Sequence, residues 1–186
     1  MEEAYDATES YIEELPDCIH KIYTETYEKW NKEFNRNDEG DFLESYKSEF
    51  FVKIITRTKE GIILEKLDIP LGTRTNMFQD SLNAIYQYTT YERLIRWLDE
   101  LKKELDKLGI QHRDIHPGNI MYSIPQRKFK LIDFSWAKTT KQDLGAPEEL
   151  NGKYGADEEA IEKIKQELKQ WESQKKNLQK ISSILL

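Results

Sequence analysis

Short clusters of β-branched and aromatic residues alternate with turns near the start of the chain. Residues 8–23 contain two such clusters on either side of Pro16-Asp17, a pattern that predicts a β-hairpin. Residues 50–55 and 61–67 flank a charged turn in the same way. They predict a second pair of strands.

Apolar residues take a helical spacing in three other segments. The polar stretch 25–46 carries widely spaced aromatic residues and favours one helix, or two short ones with a break at 37–40. In residues 78–108 leucines recur at intervals of three and four, and Gly109 follows directly, as glycine often does where a helix ends. The same spacing in residues 157–181 predicts a final helix.

Composition and charge narrow the class of protein. A chain of 186 residues with 38% hydrophobic and 34% charged residues is typical of one globular domain, or of two small lobes that share a cleft. The net charge of -7 disfavours nucleic acid as a partner. No apolar run is long enough to span a membrane. The chain begins without the basic and apolar regions of a signal peptide and has a single cysteine, so we expect a cytoplasmic location.

Two motifs carry the candidate chemistry. The first reads HRDIHPGN over residues 112–119, and the second reads LIDFS over residues 131–135. The apolar runs between them predict a strand, a turn and a returning strand. Asp114 and Asn119 are five residues apart on one loop, and Asp133 follows a hairpin whose return strand ends near that loop. All three side chains can therefore face one cleft.

Together the motifs resemble the catalytic and metal-binding loops of the protein-kinase-like superfamily. The resemblance implies an α+β fold of two lobes. Residues 1–67 would form a small N-lobe with an antiparallel sheet, built from a β-hairpin, a helix, a second β-hairpin and a hinge at its end. Residues 68–186 would form a truncated, mainly helical C-lobe. The implied activity is the transfer of the γ-phosphoryl group of ATP, with Mg²⁺, to a hydroxyl group.

The resemblance also implies a role for each motif residue. Asp114 stands where the family's base accepts the proton of the acceptor hydroxyl, and Asn119 and Asp133 stand where side chains ligate Mg²⁺. Carboxylate and carboxamide oxygens are hard donors of the kind that magnesium prefers. His112 and Arg113 would brace the loop. Ser135 replaces the glycine that usually ends the second motif.

The first hairpin supplies a candidate for phosphate binding. Lys21 lies at the position that contacts the α- and β-phosphates in the family, although an ordinary surface lysine is the alternative. Its acidic partner should lie on the following helix, with Glu33 as the first choice and Glu28 as the second. A glycine-rich loop is missing, since residues 6–12 contain no glycine, and Thr8 and Ser10 would take its place.

The adenine pocket is expected at the end of the second strand pair. The segment from Glu65 to Leu67 resembles the hinge whose backbone hydrogen-bonds adenine, and Met121 falls where an apolar residue forms the floor of that pocket. Ordinary packing accounts for these residues equally well.

The nature of the acceptor is indicated by the end of the first motif. Its HPGN sequence resembles that of aminoglycoside, choline and homoserine kinases, which implies a small molecule or glycan as acceptor, with a protein as the alternative. Ala146-Pro147-Glu148 resembles the end of a protein kinase's activation segment. It lies too soon after Asp133 for a protein-substrate platform of normal size.

Other functions compete with this interpretation. A pseudokinase or a binding module is the main rival, because the glycine-rich loop is missing. His112 and His116 have the spacing of a metal hydrolase's helical ligands, but Pro117-Gly118 opposes a helix there. Cys18 with His20 is a weaker candidate for cysteine nucleophile chemistry. The apolar stripe of residues 157–181 predicts packing against the rest of the chain, or else a coiled coil that forms a homodimer or binds a partner.

Overall fold

The computed structural model describes residues 9–74, 76–142 and 156–184. The strands are β1 (Ser10–Glu14), β2 (Cys18–Tyr23), β3 (Ile54–Arg57), β4 (Gly61–Glu65), β5 (Ile69–Pro70), β6 (Ile110–Gln111), β7 (Ile120–Ser123), β8 (Lys128–Leu131) and β9 (Lys138–Thr139). The helices are α1 (Glu25–Glu33), α2 (Glu39–Ser45), α3 (Gln79–Ile85), α4 (Tyr91–Leu108) and α5 (Asp157–Ile184), with a short 3-10 helix at Pro117–Asn119.

Both predicted hairpins join in one antiparallel sheet with the strand order β1-β2-β4-β3. Lys21 in β2 pairs with Ile62 in β4. A side chain at Gly61 would place its Cβ 1.9 Å from the Lys21 carbonyl oxygen, so only glycine allows the two strands to approach this closely. The sheet therefore holds Lys21 on a central strand between two neighbours.

The strand β3 begins at Ile54, four residues later than the sequence pattern predicts. The preceding residues pair with β8 instead. The Val52 amide donates to the Leu131 carbonyl at 2.9 Å, and the Leu131 amide donates to the Phe50 carbonyl at 2.8 Å. Phe51 consequently forms a parallel bridge with Leu131. We call these two hydrogen bonds the back seam. They join the segment before β3 of the first sheet to β8, which belongs to a second sheet.

The polar stretch between the hairpins forms two helices. The helix α1 ends at Glu33, and Asn35 has a φ of 51°, a left-handed conformation that stops the helix. Asp38 then caps α2 by accepting a hydrogen bond from the Asp41 amide at 3.0 Å. The break therefore covers residues 34–38 and overlaps the predicted residues 37–40, inside which α2 begins.

The hairpin between the two motifs belongs to a small second sheet with the order β5-β7-β8. The hairpin of β7 and β8 confirms the predicted strand, turn and strand. The helix α4 ends at Leu108 and is capped by Gly109, which has a φ of 64° in the left-handed region. The division that the sequence predicts at residues 67 and 68 falls between β4 of the first sheet and β5 of the second.

One hydrophobic core connects the helices to the second sheet. Leu94, Leu98 and Leu101 of α4 are completely buried, and they share this core with Ile164 and Leu168 of α5. The α5 stripe thus packs within the chain over this part of its length, whereas Leu178 is exposed. An antiparallel sheet followed by a mainly helical part confirms the α+β class and is consistent with the protein-kinase-like fold that the motifs imply. Each helix in the described ranges is too short or too polar to cross a lipid bilayer.

Candidate active site

A cleft of about 630 Å³ opens between the first sheet and the two motifs. Most of the residues that the sequence assigns to nucleotide and metal binding line this cleft, namely Ser10, Lys21, Glu65, Leu67, Asn119, Met121 and Asp133. They come from strands and loops that are far apart in the chain. The fold therefore gathers the candidate residues around one concave surface.

Lys21 lies at the centre of an ion-pair cluster in which Lys21 and Glu39 are buried and Asp133 faces the cleft. Its Nζ donates to Glu39 Oε2 at 2.8 Å and to Asp133 Oδ1 at 2.9 Å. The prediction that Glu33 pairs with Lys21, with Glu28 as second choice, is wrong. Both glutamates are exposed on α1, whereas Glu39 begins the separate helix α2 and is fully buried. The sequence contained a signal for this, because Asp38 is a helix-capping residue directly before Glu39.

Glu39 connects three parts of the site. Its Oε2 accepts from the Tyr23 hydroxyl at 3.2 Å, and its Oε1 accepts from the Phe134 amide at 2.9 Å. The Glu39 amide donates to the Tyr27 hydroxyl at 2.8 Å. A buried carboxylate is stable only when its oxygens are paired in this way. Glu39 therefore ties β2 and α2 to the second motif.

The charges of this cluster stabilise each other. Burial alone disfavours the charged form of Lys21, but Asp133 and Glu39 outweigh burial and raise the pKa of Lys21. Burial likewise raises the pKa of a carboxyl group, yet the charge of Lys21 and its hydrogen bond hold the pKa of Asp133 well below its usual range. Both side chains are consequently ionised at neutral pH.

Ser135 has a direct contact with the candidate metal ligand. Its hydroxyl lies 2.7 Å from Asp133 Oδ1 and 3.3 Å from Glu39 Oε2. A hydroxyl has one hydrogen to donate, and the shorter distance assigns it to Asp133. Asp133 itself has a φ of 63°, an unusual backbone conformation for a residue other than glycine. The second motif therefore fixes Asp133 through both its backbone and its side chain.

The first motif places Asn119 beside Asp114. The Asn119 Nδ2 donates to the Asp114 carbonyl at 2.9 Å, which turns the carboxamide oxygen away from that loop. The Ile132 amide donates to the Asn119 carbonyl at 2.9 Å, so the two motifs are joined next to Asp133. The candidate base and the two candidate metal ligands thus lie on adjoining loops.

Asp157 is a site-building residue that the sequence motifs do not reveal. Its two carboxylate oxygens accept hydrogen bonds from the His112 amide at 2.6 Å and from the Arg113 amide at 2.7 Å. Arg113 has a φ of 69°, so this anchor holds a strained turn immediately before Asp114. The contact spans more than forty residues of sequence, and the acidic start of α5 was its only signal.

The structure gives His112 a bracing role, as the resemblance implies. Its Nε2 lies 3.0 Å from the Ile132 carbonyl and must donate, while its Nδ1 accepts from the Asp114 amide at 3.3 Å. Both ring nitrogens are therefore occupied by backbone groups, which argues against the metal-hydrolase alternative. The described ranges contain no cluster of three or more His, Cys, Asp or Glu residues that could hold a metal ion.

The cysteine alternative also lacks its geometry. The ring of His20 lies 3.3 Å from Glu13 Oε2 and 3.2 Å from the Thr58 hydroxyl. Both of its nitrogens are therefore directed at partners other than Cys18.

The predicted hinge combines packing with access to the cleft. Leu67 is buried, and Glu65 and Leu67 both line the cleft. The Glu65 side chain, however, accepts from the Lys53 amide at 2.8 Å and from Gln126 Nε2 at 2.6 Å. Its carboxylate thus fastens the hinge to neighbouring segments. Thr8 and Ala146-Pro147-Glu148, which the sequence analysis singled out, lie outside the described residues.

The donor set suits a divalent cation bound through oxygen. The Asp133 side chain is 39% exposed at the cleft, and Lys21 and Ser135 both contact its Oδ1. Asn119 directs its carboxamide oxygen away from the Asp114 carbonyl and also lines the cleft. One carboxylate and one carboxamide match the sparse protein ligation of Mg²⁺. The residues present therefore fit the ion that the fold family implies.

Two comparisons with known proteins agree with this geometry. A match over 63 residues to a human protein, the cell division cycle 7-related protein kinase, is 33% identical. It covers 34% of this chain but only 11% of that protein, so the matched part is about a tenth of the kinase's length. The model of the phosphotransferase enzyme family matches residues 27–140, which is more than half of the chain and includes both motifs. The chain belongs to the phosphotransferase enzyme family.

Proposed function

We propose that the chain transfers the γ-phosphoryl group of ATP to a hydroxyl group of a small molecule or glycan. The observation that carries the proposal is the convergence of Lys21, Asn119 and Asp133 on one cleft, with Asp114 on the adjoining loop. Phosphoryl transfer asks a protein chiefly for positioning and for positive charge around the phosphates. Lys21, held in the charged state by its two carboxylate partners, supplies a fixed positive charge in the cleft.

Asp114 is the proposed general base. Its side chain is buried, and among the described residues no hydrogen bond is made to its Oδ1. That oxygen would accept the proton of the acceptor hydroxyl while the hydroxyl oxygen bonds to the γ-phosphorus. The bond between this phosphorus and the bridging oxygen of ADP breaks at the same step, and ADP leaves with the electron pair.

Asn119 and Asp133 are the residues that would hold Mg²⁺. The ion, when bound, neutralises negative charge between the phosphates and so lowers the barrier to transfer. The hydrogen bonds of Asn119 and Ser135 orient these two side chains before any ligand arrives. Such preorganisation is what makes electrostatic stabilisation effective.

Nucleotide binding is the first test. A ligand that binds only the folded state raises the melting temperature, so millimolar Mg-ATP should raise the melting temperature of this chain by several degrees. The Lys21→Met variant should lose most of that shift. The matched control is Lys59→Met, which removes an exposed lysine from the turn before β4. No shift and no heat of binding in the unaltered chain would reject the phosphotransferase proposal and favour a pseudokinase.

The acceptor class needs a separate experiment. Incubating the chain with γ-labelled ATP and a fractionated cell extract shows whether label enters metabolites, glycans or proteins. We expect label in the metabolite or glycan fraction, and its loss with Asp114→Asn. A protein acceptor is the second candidate, because the matched human relative is named a protein kinase. Label confined to the protein fraction would establish that candidate instead.

A further inference from the structure

Arg74 lies beside the candidate base on a segment that neither motif includes. Its Nη2 donates to Asp114 Oδ2 at 2.8 Å. The Asp114 side chain is only 6% exposed, whereas that of Arg74 is 53% exposed. A guanidinium group has five N–H donors, and among the described residues Asp114 is the one ion-pair partner of Arg74. Arg74 therefore holds the base with one edge and offers the rest of its donors to a ligand.

The loop that carries Arg74 is fastened to the first motif. The Thr73 amide donates to the Asn76 carbonyl at 2.7 Å, and the Thr73 carbonyl accepts from the Gly118 amide at 3.1 Å. A Cβ at Gly72 would lie 2.1 Å from the Asn76 carbonyl oxygen, so this tight loop requires glycine there. Gly72 also forms a bridge with Met77 at the base of the loop. The backbone around Arg74 is thus fixed against the loop that bears Asp114.

The cleft is acidic, and Asn119, which lines it, contacts the Asp114 residue that Arg74 holds. Acidic residues outnumber basic ones in the lining, with Glu14, Glu39, Glu65, Asp68 and Asp133 against Lys21 and Lys66. The first motif has no lysine between Asp114 and Asn119. The negative charge of the transferring phosphoryl group is spread over three oxygens, and arginine binds such oxygens through two parallel hydrogen bonds.

We propose that Arg74 is a further catalytic residue, which binds the oxygens of the γ-phosphoryl group. The inference rests on the proposed function. The acceptor hydroxyl must be within hydrogen-bond reach of Asp114 and about 3–3.5 Å from the γ-phosphorus at the moment of attack. The Arg74 guanidinium contacts the same carboxylate, so its other N–H groups would be close enough to hydrogen-bond that phosphoryl group. Arg74 hence fixes the base and the transferred group relative to each other.

The test compares two nucleotides that differ in the γ-phosphate. Calorimetric titrations of the full chain would use Mg-ADP and the magnesium complex of the β,γ-imido analogue of ATP. In Arg74→Ala we expect affinity for the analogue to fall by about tenfold or more, because hydrogen bonds between charged groups are lost. Affinity for ADP should change by less than about twofold. Arg74→Lys should keep part of the difference, since it retains the charge without the fork.

Arg96→Ala is the matched control, because it removes an exposed arginine from α4 and should leave both affinities unchanged. Equal losses for ADP and the analogue in Arg74→Ala, or no loss for either, would overturn the assignment of Arg74. A variant that binds the analogue normally but needs more acceptor for half-maximal rate would overturn it as well, and would place Arg74 on the acceptor. If the unaltered chain binds neither nucleotide, the proposed function itself fails.

Discussion

The two ends of the candidate site are built differently. At the end formed by β2 and α2, Lys21 and Glu39 are buried, and each makes more than one charged or hydrogen-bonded contact. At the other end, Asp114 is paired with a half-exposed arginine on a loop. The first end therefore has its geometry fixed by buried contacts, whereas the ion pair of the second end includes a side chain that solvent reaches.

The largest expected effect is on turnover, and it distinguishes the end of the site that holds Asp114 from the end that holds Lys21. Asp114→Asn removes the proposed base, so we expect turnover to fall by about 10²–10⁴-fold with nucleotide affinity retained. Asp133→Asn should instead weaken metal-dependent nucleotide binding. Parallel steady-state kinetics and calorimetry measure both quantities. Equal turnover in Asp114→Asn and the unaltered chain would remove Asp114 from its role.

The second effect tests the fixed end by stability. Glu39→Gln leaves buried Lys21 with one carboxylate fewer, and we expect the free energy of unfolding to fall by roughly 3 kcal/mol. Glu33→Gln, on the exposed face of α1, should change it by less than about 0.5 kcal/mol. Urea denaturation of the two variants makes the comparison. Similar values for both would mean that the cluster around Lys21 does not stabilise the fold.

A smaller loss is expected where the loop of Asp114 is anchored. Asp157→Asn replaces a charged acceptor of two backbone hydrogen bonds, which should cost about 1–3 kcal/mol. Because Arg113 is held in a strained conformation, we also expect turnover to fall more than nucleotide affinity. Among the described residues, Glu158 in the same turn pairs with the half-buried Lys102 alone, so Glu158→Gln serves as control. An unchanged turnover in Asp157→Asn would show that the strained turn does not need this anchor.

The smallest effect concerns Ser135 and pH. A carboxyl group whose pKa is depressed by folding adds stability above its unfolded pKa, and this stability is lost as pH falls towards the folded value. Stability should thus decline below about pH 4 through Asp133. Ser135→Ala removes one of the hydrogen bonds that depress the pKa of Asp133, so the variant should be less stable at neutral pH and should lose less stability on acidification, while the onset of the decline near the unfolded pKa stays the same. Thermal melts from pH 7 down to about pH 2 measure both differences, with Ser173→Ala at an exposed position of α5 as control.

Sequence patterns predicted the structural features that depend on residues close together in the sequence. The hairpins, the helix capped by Gly109 and the two motifs all have their signal within a few neighbouring residues. The partner of Lys21 was missed because its position depends on where α1 ends. The helix α1 stops at Glu33 and α2 begins at Glu39, so Glu39 rather than Glu33 contacts Lys21. The anchors Asp157 and Arg74 were missed because each meets the first motif across about forty residues of chain. Only tertiary packing brings such pairs together.

The back seam has a consequence for how ligands come and go. Its two hydrogen bonds attach the chain before β3 to the strand that leads into Asp133, along the rear wall of the cleft. Separating the sheets at this line would leave interior amide and carbonyl groups without partners, a change that is costly away from water. Movement of the two sheets apart at the back seam is therefore disfavoured. We therefore expect the distance between Val52 and Asp133 to be the same with and without a bound ligand.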